Sequence, residues 1–192
     1  MRDYSSQNKK AWEYNAYDFW VKEDGSPWER AQKDKENPIA MLKKYASYFD
    51  TYKEVRIANI CGSCGKKAIP LAILGADVTV FDISEDNRKY ALEVAEAAGV
   101  SIHYEVLSLE QSTMSYFSTE VFEGEMAHAR FYEDEIRRQM PKCSYRKYTI
   151  SEIINGIIKS GFVLERFDEH PAWTNSNIPG EFTAVANKLV NR

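Results

Sequence analysis

The sequence predicts an α/β protein built on a doubly wound parallel sheet. Between residues 55 and 106, short apolar and β-branched runs alternate with segments of helical composition. The loops that join these segments are short, and strand–helix–strand–helix–strand order with short loops is typical of parallel sheets. Ser84 and Gly99 flank one helical segment in the positions of an N-cap and a left-handed C-terminal residue.

The composition is that of an ordinary globular chain and excludes several other classes. One domain is expected for 192 residues, and 44% hydrophobic with 28% charged residues exclude a disordered or collagen-like chain. The formal net charge of −4 gives no overall attraction to nucleic acid or to an anionic membrane. No apolar run approaches the roughly 18 residues of a membrane helix, and residues 1–10 lack the apolar region of a signal peptide. The three cysteines are expected to be free thiols of a cytoplasmic protein.

Residues 1–50 are predicted to form a helical cap. Charged residues alternate there with large aromatic ones, namely Trp12, Tyr14, Tyr17, Phe19, Trp20 and Trp28. Two interpretations stay open, because these side chains can pack on the main domain or form a lid over a ligand. Asn37 and Pro38 predict the start of a helix. The buried stripe of that helix is predicted to contain Ile39, Leu42, Ala46 and Phe49.

Residues 51–106 are predicted to form a βαβαβ unit. The predicted strands and helices, in chain order, are residues 55–60, 66–74, 77–81, 85–98 and 101–106. Gly75 follows the first helix, where a left-handed residue is wanted. Asp82 stands directly after the second strand, and therefore at its carboxyl end.

Residues 107–150 are predicted to be a polar helical insertion. The segment has no β-branched run long enough for a buried strand. Acidic residues 133–135 followed by Arg137 and Arg138 predict a solvent-exposed helix with charge pairs three and four residues apart.

Residues 151–192 are predicted to form a C-terminal helix and a hairpin. Ser151 is predicted to cap the helix, which ends at Gly161. The two strands and the loop between them are predicted at residues 162–167, 182–189 and 169–180. The loop holds His170 and Trp173, which could face a bound substrate, although packing is the expected role of Trp173.

The turn after the first strand is the best candidate for a ligand site, because ligands of open α/β sheets bind beyond the carboxyl ends of the strands. Residues 59–65 are mostly small, which lets a ligand approach the backbone at the start of a helix. Asp82 lies 17 residues after Gly65, where a carboxylate can accept hydrogen bonds from both ribose hydroxyls of an adenosine cofactor. A nicotinamide dinucleotide favours three glycines, whereas this turn has Gly62 and Gly65.

The stretch from residue 55 to residue 105 resembles the first two motifs of the class I S-adenosylmethionine-dependent methyltransferases, in their small-molecule branch. The residues that carry the resemblance are Ala68-Ile69-Pro70-Leu71-Ala72, Leu74-Gly75-Ala76-Asp77-Val78-Thr79, Asp82-Ile83-Ser84 and, near the C-terminus, Phe182-Thr183-Ala184-Val185-Ala186-Asn187-Lys188. The resemblance implies a Rossmann-like three-layer sandwich with a C-terminal antiparallel hairpin and a helical N-terminal cap.

The same resemblance implies S-adenosyl-L-methionine as the cofactor and a small molecule as the methyl acceptor. The cofactor-binding residues that it implies are Asn59, Cys61, Gly62, Ser63, Gly65, Asp82 and Ile83. The implied reaction is an in-line transfer of the sulfonium methyl group, which depends mainly on positioning and desolvation of the two reactants, with a general base optional.

The first motif departs from the family pattern at three positions. Asn59 stands where the family has an acidic residue, and Cys61 and Ser63 stand where it has its first two glycines, so that Gly65 alone is kept. Asn59 can accept a hydrogen bond from the cofactor's ammonium group but supplies no charge, and Cys61 and Ser63 restrict φ more than glycine does. A catalytically inactive binding module is therefore an alternative function.

Cys61 and Cys64 also form a Cys-x-x-Cys pair at a helix N-terminus, the arrangement of a thiol oxidoreductase. This second alternative is disfavoured because thiol exchange needs neither the βαβ unit nor Asp82. A metal site is disfavoured because Cys143 stands alone and the three histidines are far apart in the sequence.

The family's sheet has seven strands, and no run after Val106 is suited to be the fourth or the fifth. Without them the first strand has an unpaired edge. Two explanations are open: residues are omitted between Glu105 and Gln111, or the chain is continuous with five strands and a degraded acceptor pocket. We predict the first, which would appear as a break in the chain between Glu105 and Gln111.

Overall fold

The computed structural model describes residues 4–107, 121–145, 148–172, 176–177 and 179–188. The described residues up to 145 form one compact unit, and those from 148 onward belong to a second. The predicted single-domain organisation therefore stays a prediction. Within the residues described, no helix combines the length and the apolar character needed to cross a membrane.

The first unit contains a run of helices, a three-stranded sheet and a short antiparallel pair. Its helices are α1 (Tyr4–Glu13), α2 (Ala16–Asp24), α3 (Pro27–Glu36), α4 (Pro38–Leu42), a 3₁₀ helix (Lys43–Tyr48), α5 (Ala68–Ile73), α6 (Glu85–Ala98), a second 3₁₀ helix (Ala127–Phe131) and α7 (Asp134–Gln139). Its strands are β1 (Arg56–Ile60), β2 (Asp77–Asp82), β3 (His103–Val106), β4 (Phe122–Gly124) and β5 (Cys143–Tyr145).

Strands β1, β2 and β3 pair in parallel in that order, which confirms the predicted parallel sheet. In the register, Asn59 pairs with Val80 and Val80 with Tyr104, so these three side chains share one face. Val80 is fully buried and Tyr104 is 8% exposed on that face, under the helices. On the opposite face Ala58 is exposed and Ile60 is 56% exposed.

Helix α6 forms the centre of the core because its apolar residues recur at helical spacing. Tyr90, Ala91 and Val94 are fully buried in this stripe. The predicted ends of the helix are confirmed: the Ser84 hydroxyl accepts a hydrogen bond from the Asn87 N–H, and Gly99 is left-handed with φ 76°. This helix fixes the end of β2 against the turn that follows β1.

The N-terminal helices confirm the predicted cap but differ from it around residue 43. Asn37 caps α4 as predicted, accepting a hydrogen bond from the Ala40 N–H at 3.0 Å. The helix ends at Leu42, because Lys43 adopts a positive φ of 53° and starts a 3₁₀ turn. The predicted stripe is therefore wrong at Ile39, which is 52% exposed, whereas Leu42 is fully buried.

The described part of the polar insertion contains two short strands that the sequence did not indicate. Strands β4 and β5 are three residues each and pair antiparallel, too short to leave an alternating pattern. Helix α7 confirms the predicted exposed helix near residue 135. The predicted break between Glu105 and Gln111 falls mostly outside the described residues, which resume at residue 121.

The second unit consists of α8 (Ile150–Lys159) and an antiparallel hairpin of β6 (Phe162–Pro171) and β7 (Pro179–Lys188). The hairpin confirms the predicted C-terminal strands, which extend into the expected loop and place His170 within β6. Thr149, not Ser151, caps α8, because Thr149 and Glu152 form a reciprocal capping box. Trp173 lies outside the described residues.

Candidate functional site

The turn between β1 and α5 adopts a left-handed backbone at three positions. Cys61 has φ 50°, Ser63 has φ 48° and Gly65 has φ 76°. These are the three positions at which the methyltransferase family that the sequence resembles has glycine. The turn therefore keeps a left-handed backbone at all three positions, although two of them are occupied by residues other than glycine. A non-glycine residue in this region costs roughly 1–2 kcal/mol, and such strain persists only where the surroundings hold it.

Gly62 lies between the strained residues and packs tightly against the sheet. A Cβ atom at this position would stand 2.7 Å from both Asn59 Oδ1 and Val80 Cγ1. The Gly62 N–H donates to the Phe81 carbonyl at 3.2 Å, which ties the turn to β2. The close approach explains why a glycine is present here although its φ is not positive.

Asp82 holds the turn through its carboxylate. Its Oδ2 accepts a hydrogen bond from the Ser63 N–H at 3.0 Å, across 19 residues of sequence. Its Oδ1 accepts from the Ser84 N–H and from Asn87 Nδ2, each at 3.1 Å. The predicted placement of Asp82 beside the turn at the carboxyl end of β2 is therefore observed, and its carboxylate is engaged by three protein donors.

Asn59 presents an unused acceptor at the base of the turn. Its Oδ1 is buried and has no hydrogen-bond partner in the described part of the chain. A buried polar atom without a partner costs about 1–3 kcal/mol and calls for an explanation. A donor supplied by a ligand in the turn would satisfy it.

Tyr104 supports the turn from the neighbouring strand. Its hydroxyl donates to the Ser63 carbonyl at 2.8 Å. Burial, followed by the charge of Asp82, raises the pKa of Tyr104 well above its usual value, so the hydroxyl stays a donor at physiological pH. Both backbone groups of Ser63 are thus held, by Asp82 and by Tyr104.

Aromatic side chains from α1 and α2 cover the turn. A cavity of about 30 Å³ separates them from it and is lined by Trp12, Ala16, Phe19, Trp20, Ser63 and Asn87. Trp20 Nε1 donates to Asn87 Oδ1 at 2.7 Å, which joins the cover to the side chain that contacts Asp82. We call the four lining residues from α1 and α2 the aromatic cover.

The two lysines after the turn hold the N-terminal segment in place. Lys66 Nζ lies 3.0 Å from Asp24 Oδ1 and 4.7 Å from the centre of the Trp20 ring. Lys67 Nζ donates to the Met41 carbonyl at 2.8 Å. Burial and neighbouring positive charges lower the pKa of Lys67.

The two turn cysteines do not have the properties of a redox pair. Both are free thiols; Cys61 is exposed and Cys64 is 1% exposed. Burial raises the pKa of Cys64 to about 12. The pKa of Cys61 is also raised, by desolvation from the protein atoms around the thiol and by the charge of Asp82, although part of its side chain reaches the surface. Reactive cysteines require a lowered pKa, so the thiol oxidoreductase alternative gains no support.

The structure brings together the residues that the sequence singled out and adds three others. Ile83 is half-buried between β2 and α6, beside Asp82. Asn87, Trp20 and Tyr104 were not assigned to the site from the sequence. Asn87 occupies the third position of α6, where a side chain can turn back toward the preceding strand, and this is the one sequence signal that could have indicated it.

Comparison with known proteins gives matches at the level of structure. No protein-family model and no curated protein sequence matches this chain. Magnesium protoporphyrin IX methyltransferase (ChlM) from Synechocystis PCC 6803 with bound SAH is similar over 87% of this chain and 93% of its own length, with 16% identity and a TM-score of 0.47. The glycopeptide N-methyltransferase MtfA complexed with sinefungin is similar over 80% and 87%, with 12% identity and a TM-score of 0.39.

A SAM-dependent methyltransferase from Thiobacillus denitrificans, in complex with S-adenosyl-L-homocysteine, is similar over 81% of this chain and 72% of its own length, with 13% identity and a TM-score of 0.34. These neighbours are of the class that the sequence resembles. All three identities are below 20% and all three TM-scores below 0.5, so the similarity is coarse and carries no statement about substrate or activity.

Proposed function

We propose that this protein binds S-adenosyl-L-methionine and transfers its methyl group to a small-molecule acceptor. One observation carries the proposal: Asp82 and the turn of residues 59–65 lie side by side at the carboxyl ends of adjacent parallel strands, joined by the Ser63 N–H and the Asp82 carboxylate at 3.0 Å. This is the edge at which open α/β sheets bind nucleotide-like ligands.

The residues of this edge fit the chemistry of the cofactor. Asp82 would accept a hydrogen bond from a ribose hydroxyl, since a carboxylate has about four acceptor positions and three are used here. Asn59 Oδ1, buried and without a partner, would accept from the ammonium group. The small residues of the turn would let the methionine end approach the backbone.

When bound, the cofactor supplies a methyl group on a sulfonium sulfur. The chain's own contribution is to orient this group and to exclude water. The turn and Asp82 would fix the position of the two ends of the cofactor, and the aromatic cover lines the space beside the turn with apolar side chains. Positioning and desolvation of this kind account for much of the acceleration of a two-reactant transfer.

Thermal unfolding with S-adenosylhomocysteine tests the proposal. A ligand that binds only the folded state at 100 times its dissociation constant adds about 2.7 kcal/mol of stability, which for a chain of this size raises Tm by roughly 5–11 °C. Asp82→Ala is expected to abolish most of this rise. Asp77→Ala is the matched control, because Asp77 lies at the opposite end of the same strand and is exposed.

The proposal predicts a retained Tm rise in Asp77→Ala and a lost one in Asp82→Ala. Asn59→Leu, which removes the buried acceptor but leaves Asp82 in place, is expected to reduce the rise. No rise in the wild-type protein at saturating S-adenosylhomocysteine would contradict the proposal, as would an equal rise in all three variants.

A further inference from the structure

The carboxylate of Asp82 has too few free acceptor positions for a ribose. Its Oδ2 accepts from the Ser63 N–H, and its Oδ1 accepts from both the Ser84 N–H and Asn87 Nδ2. About one acceptor position is left, whereas the two hydroxyls of a ribose need two. A ribose that engages Asp82 fully must therefore displace one of the three protein donors.

Asn87 is the donor that can be displaced without moving the backbone. The other two donors are backbone N–H groups, one in the turn and one at the N-cap of α6. The Asn87 side chain is bound at both ends, since its Nδ2 donates to Asp82 and its Oδ1 accepts from Trp20 Nε1 at 2.7 Å. An indole is a donor only, so Trp20 fixes the amide orientation that aims Nδ2 at Asp82.

We propose that Asp82, Asn87 and Trp20 form a relay through which ribose binding releases the aromatic cover. The ribose hydroxyls take the acceptor position that Asn87 Nδ2 occupies on Asp82. The freed amide then rotates, and Trp20 loses its hydrogen-bond partner. This relay rests on the proposed function, because it requires a nucleoside ligand at Asp82.

The size of the cavity gives the relay a purpose. The space under the aromatic cover is about 30 Å³, whereas pockets for ligands of cofactor size measure roughly 300–1,000 Å³. The cover must therefore move for an acceptor to reach the turn. Trp20 is held there by its hydrogen bond to Asn87, by Lys66, whose Nζ lies 4.7 Å from the ring centre, and by an edge-on contact with Phe19. Loss of the Asn87 contact therefore removes the hydrogen bond among these contacts.

Nuclear magnetic resonance of the Trp20 indole N–H tests the relay, with the resonance assigned by its absence in Trp20→Phe. Adenosine is compared with 2′,3′-dideoxyadenosine, which lacks both ribose hydroxyls. The relay predicts that adenosine moves the indole resonance upfield as its hydrogen bond breaks, while bound dideoxyadenosine leaves it in place. An equal displacement by both nucleosides overturns the relay.

Calorimetry on the same samples separates failure of the relay from failure of the proposed function. If adenosine and S-adenosylhomocysteine bind and the indole resonance does not move, the relay is wrong and the cofactor site stands. If neither compound binds, the proposed function is wrong and the relay falls with it.

Two variants test the competition directly. Asn87→Ala removes the competing donor and is expected to tighten adenosine binding about tenfold, the equivalent of 1.4 kcal/mol, with dideoxyadenosine unchanged. Trp20→Phe frees the Asn87 amide from its indole partner and is likewise expected to increase the affinity for adenosine relative to that for dideoxyadenosine. Trp28→Phe is the control, because Trp28 is 64% exposed and lies outside the cavity. Weaker adenosine binding in Asn87→Ala would show that Asn87 contacts the ligand itself and would overturn the relay.

Discussion

Replacement of Ser63 by glycine is expected to stabilise the protein, which is unusual for a substitution at a candidate binding site. Ser63 has φ 48°, and its N–H and carbonyl are held by Asp82 and Tyr104 through backbone groups that the substitution leaves intact. Glycine relieves a backbone strain of roughly 1–2 kcal/mol. It also loses more conformational entropy on folding, which costs about 0.5–1 kcal/mol. The expected net gain is about 0.5 kcal/mol, and about 1 kcal/mol when Cys61→Gly, at φ 50°, is combined with it.

Urea unfolding followed by circular dichroism measures this gain, and the double variant should raise Tm by roughly 2–4 °C. Ser63→Ala is the matched control, since alanine removes the hydroxyl and keeps the Cβ that causes the strain. The order of stability should be Gly above Ser, with Ala no higher than Ser. A glycine variant less stable than the alanine variant would refute the assignment of backbone strain to this turn.

Two further predictions concern the same turn. Gly62→Ala should lower the free energy of unfolding by about 1–3 kcal/mol, because the new Cβ would stand 2.7 Å from Asn59 Oδ1 and Val80 Cγ1. Gly156→Ala is the control and should not lower it, because a Cβ at that position in α8 would have no neighbouring atom within 4 Å. Equal effects of the two substitutions would contradict the tight packing of Gly62. Burial raises the pKa of Cys64 to about 12, so the folded protein keeps a proton that the unfolded chain releases above about pH 9. The Cys64 thiol should therefore lower the free energy of unfolding by up to about 1.4 kcal/mol per pH unit between roughly pH 9 and 12. In urea unfolding across that range, the free energy of unfolding of Cys64→Ala should fall less steeply with pH than that of the wild-type protein. An identical pH dependence in the two proteins would contradict a buried thiol.

Local signals were sufficient for the central βαβαβ unit. Ser84 and Gly99 mark the ends of α6 because capping depends on residues adjacent in sequence, and both act as predicted. The apolar runs of β1 and β2 likewise indicated parallel strands, and Asp82 was placed correctly because it follows a strand directly.

Features that depend on packing were not accessible from the sequence. The end of α4 at Leu42 follows from the positive φ of Lys43, a residue with no glycine-like signal. Strands β4 and β5, of three residues each, are too short to show a period.

The candidate site shows the same division between local and distant information. The sequence placed Asp82 beside the turn but assigned its carboxylate to a ligand. Its three protein donors include Ser63, 19 residues away, and Asn87, whose amide orientation is set by Trp20, 67 residues earlier in the chain. The contact between Trp20 and Asn87 follows from the packing of α2 on α6, which no local pattern encodes.

Calorimetric titration of the wild-type protein with S-adenosylhomocysteine, with NAD in a parallel titration, decides whether Asp82 and the turn hold an adenosyl cofactor of methyl transfer. We expect saturable binding of S-adenosylhomocysteine with one site per chain, abolished by Asp82→Ala and tighter than any binding of NAD. Binding of NAD without binding of S-adenosylhomocysteine would contradict the assignment of the turn and Asp82 to an adenosyl cofactor of methyl transfer.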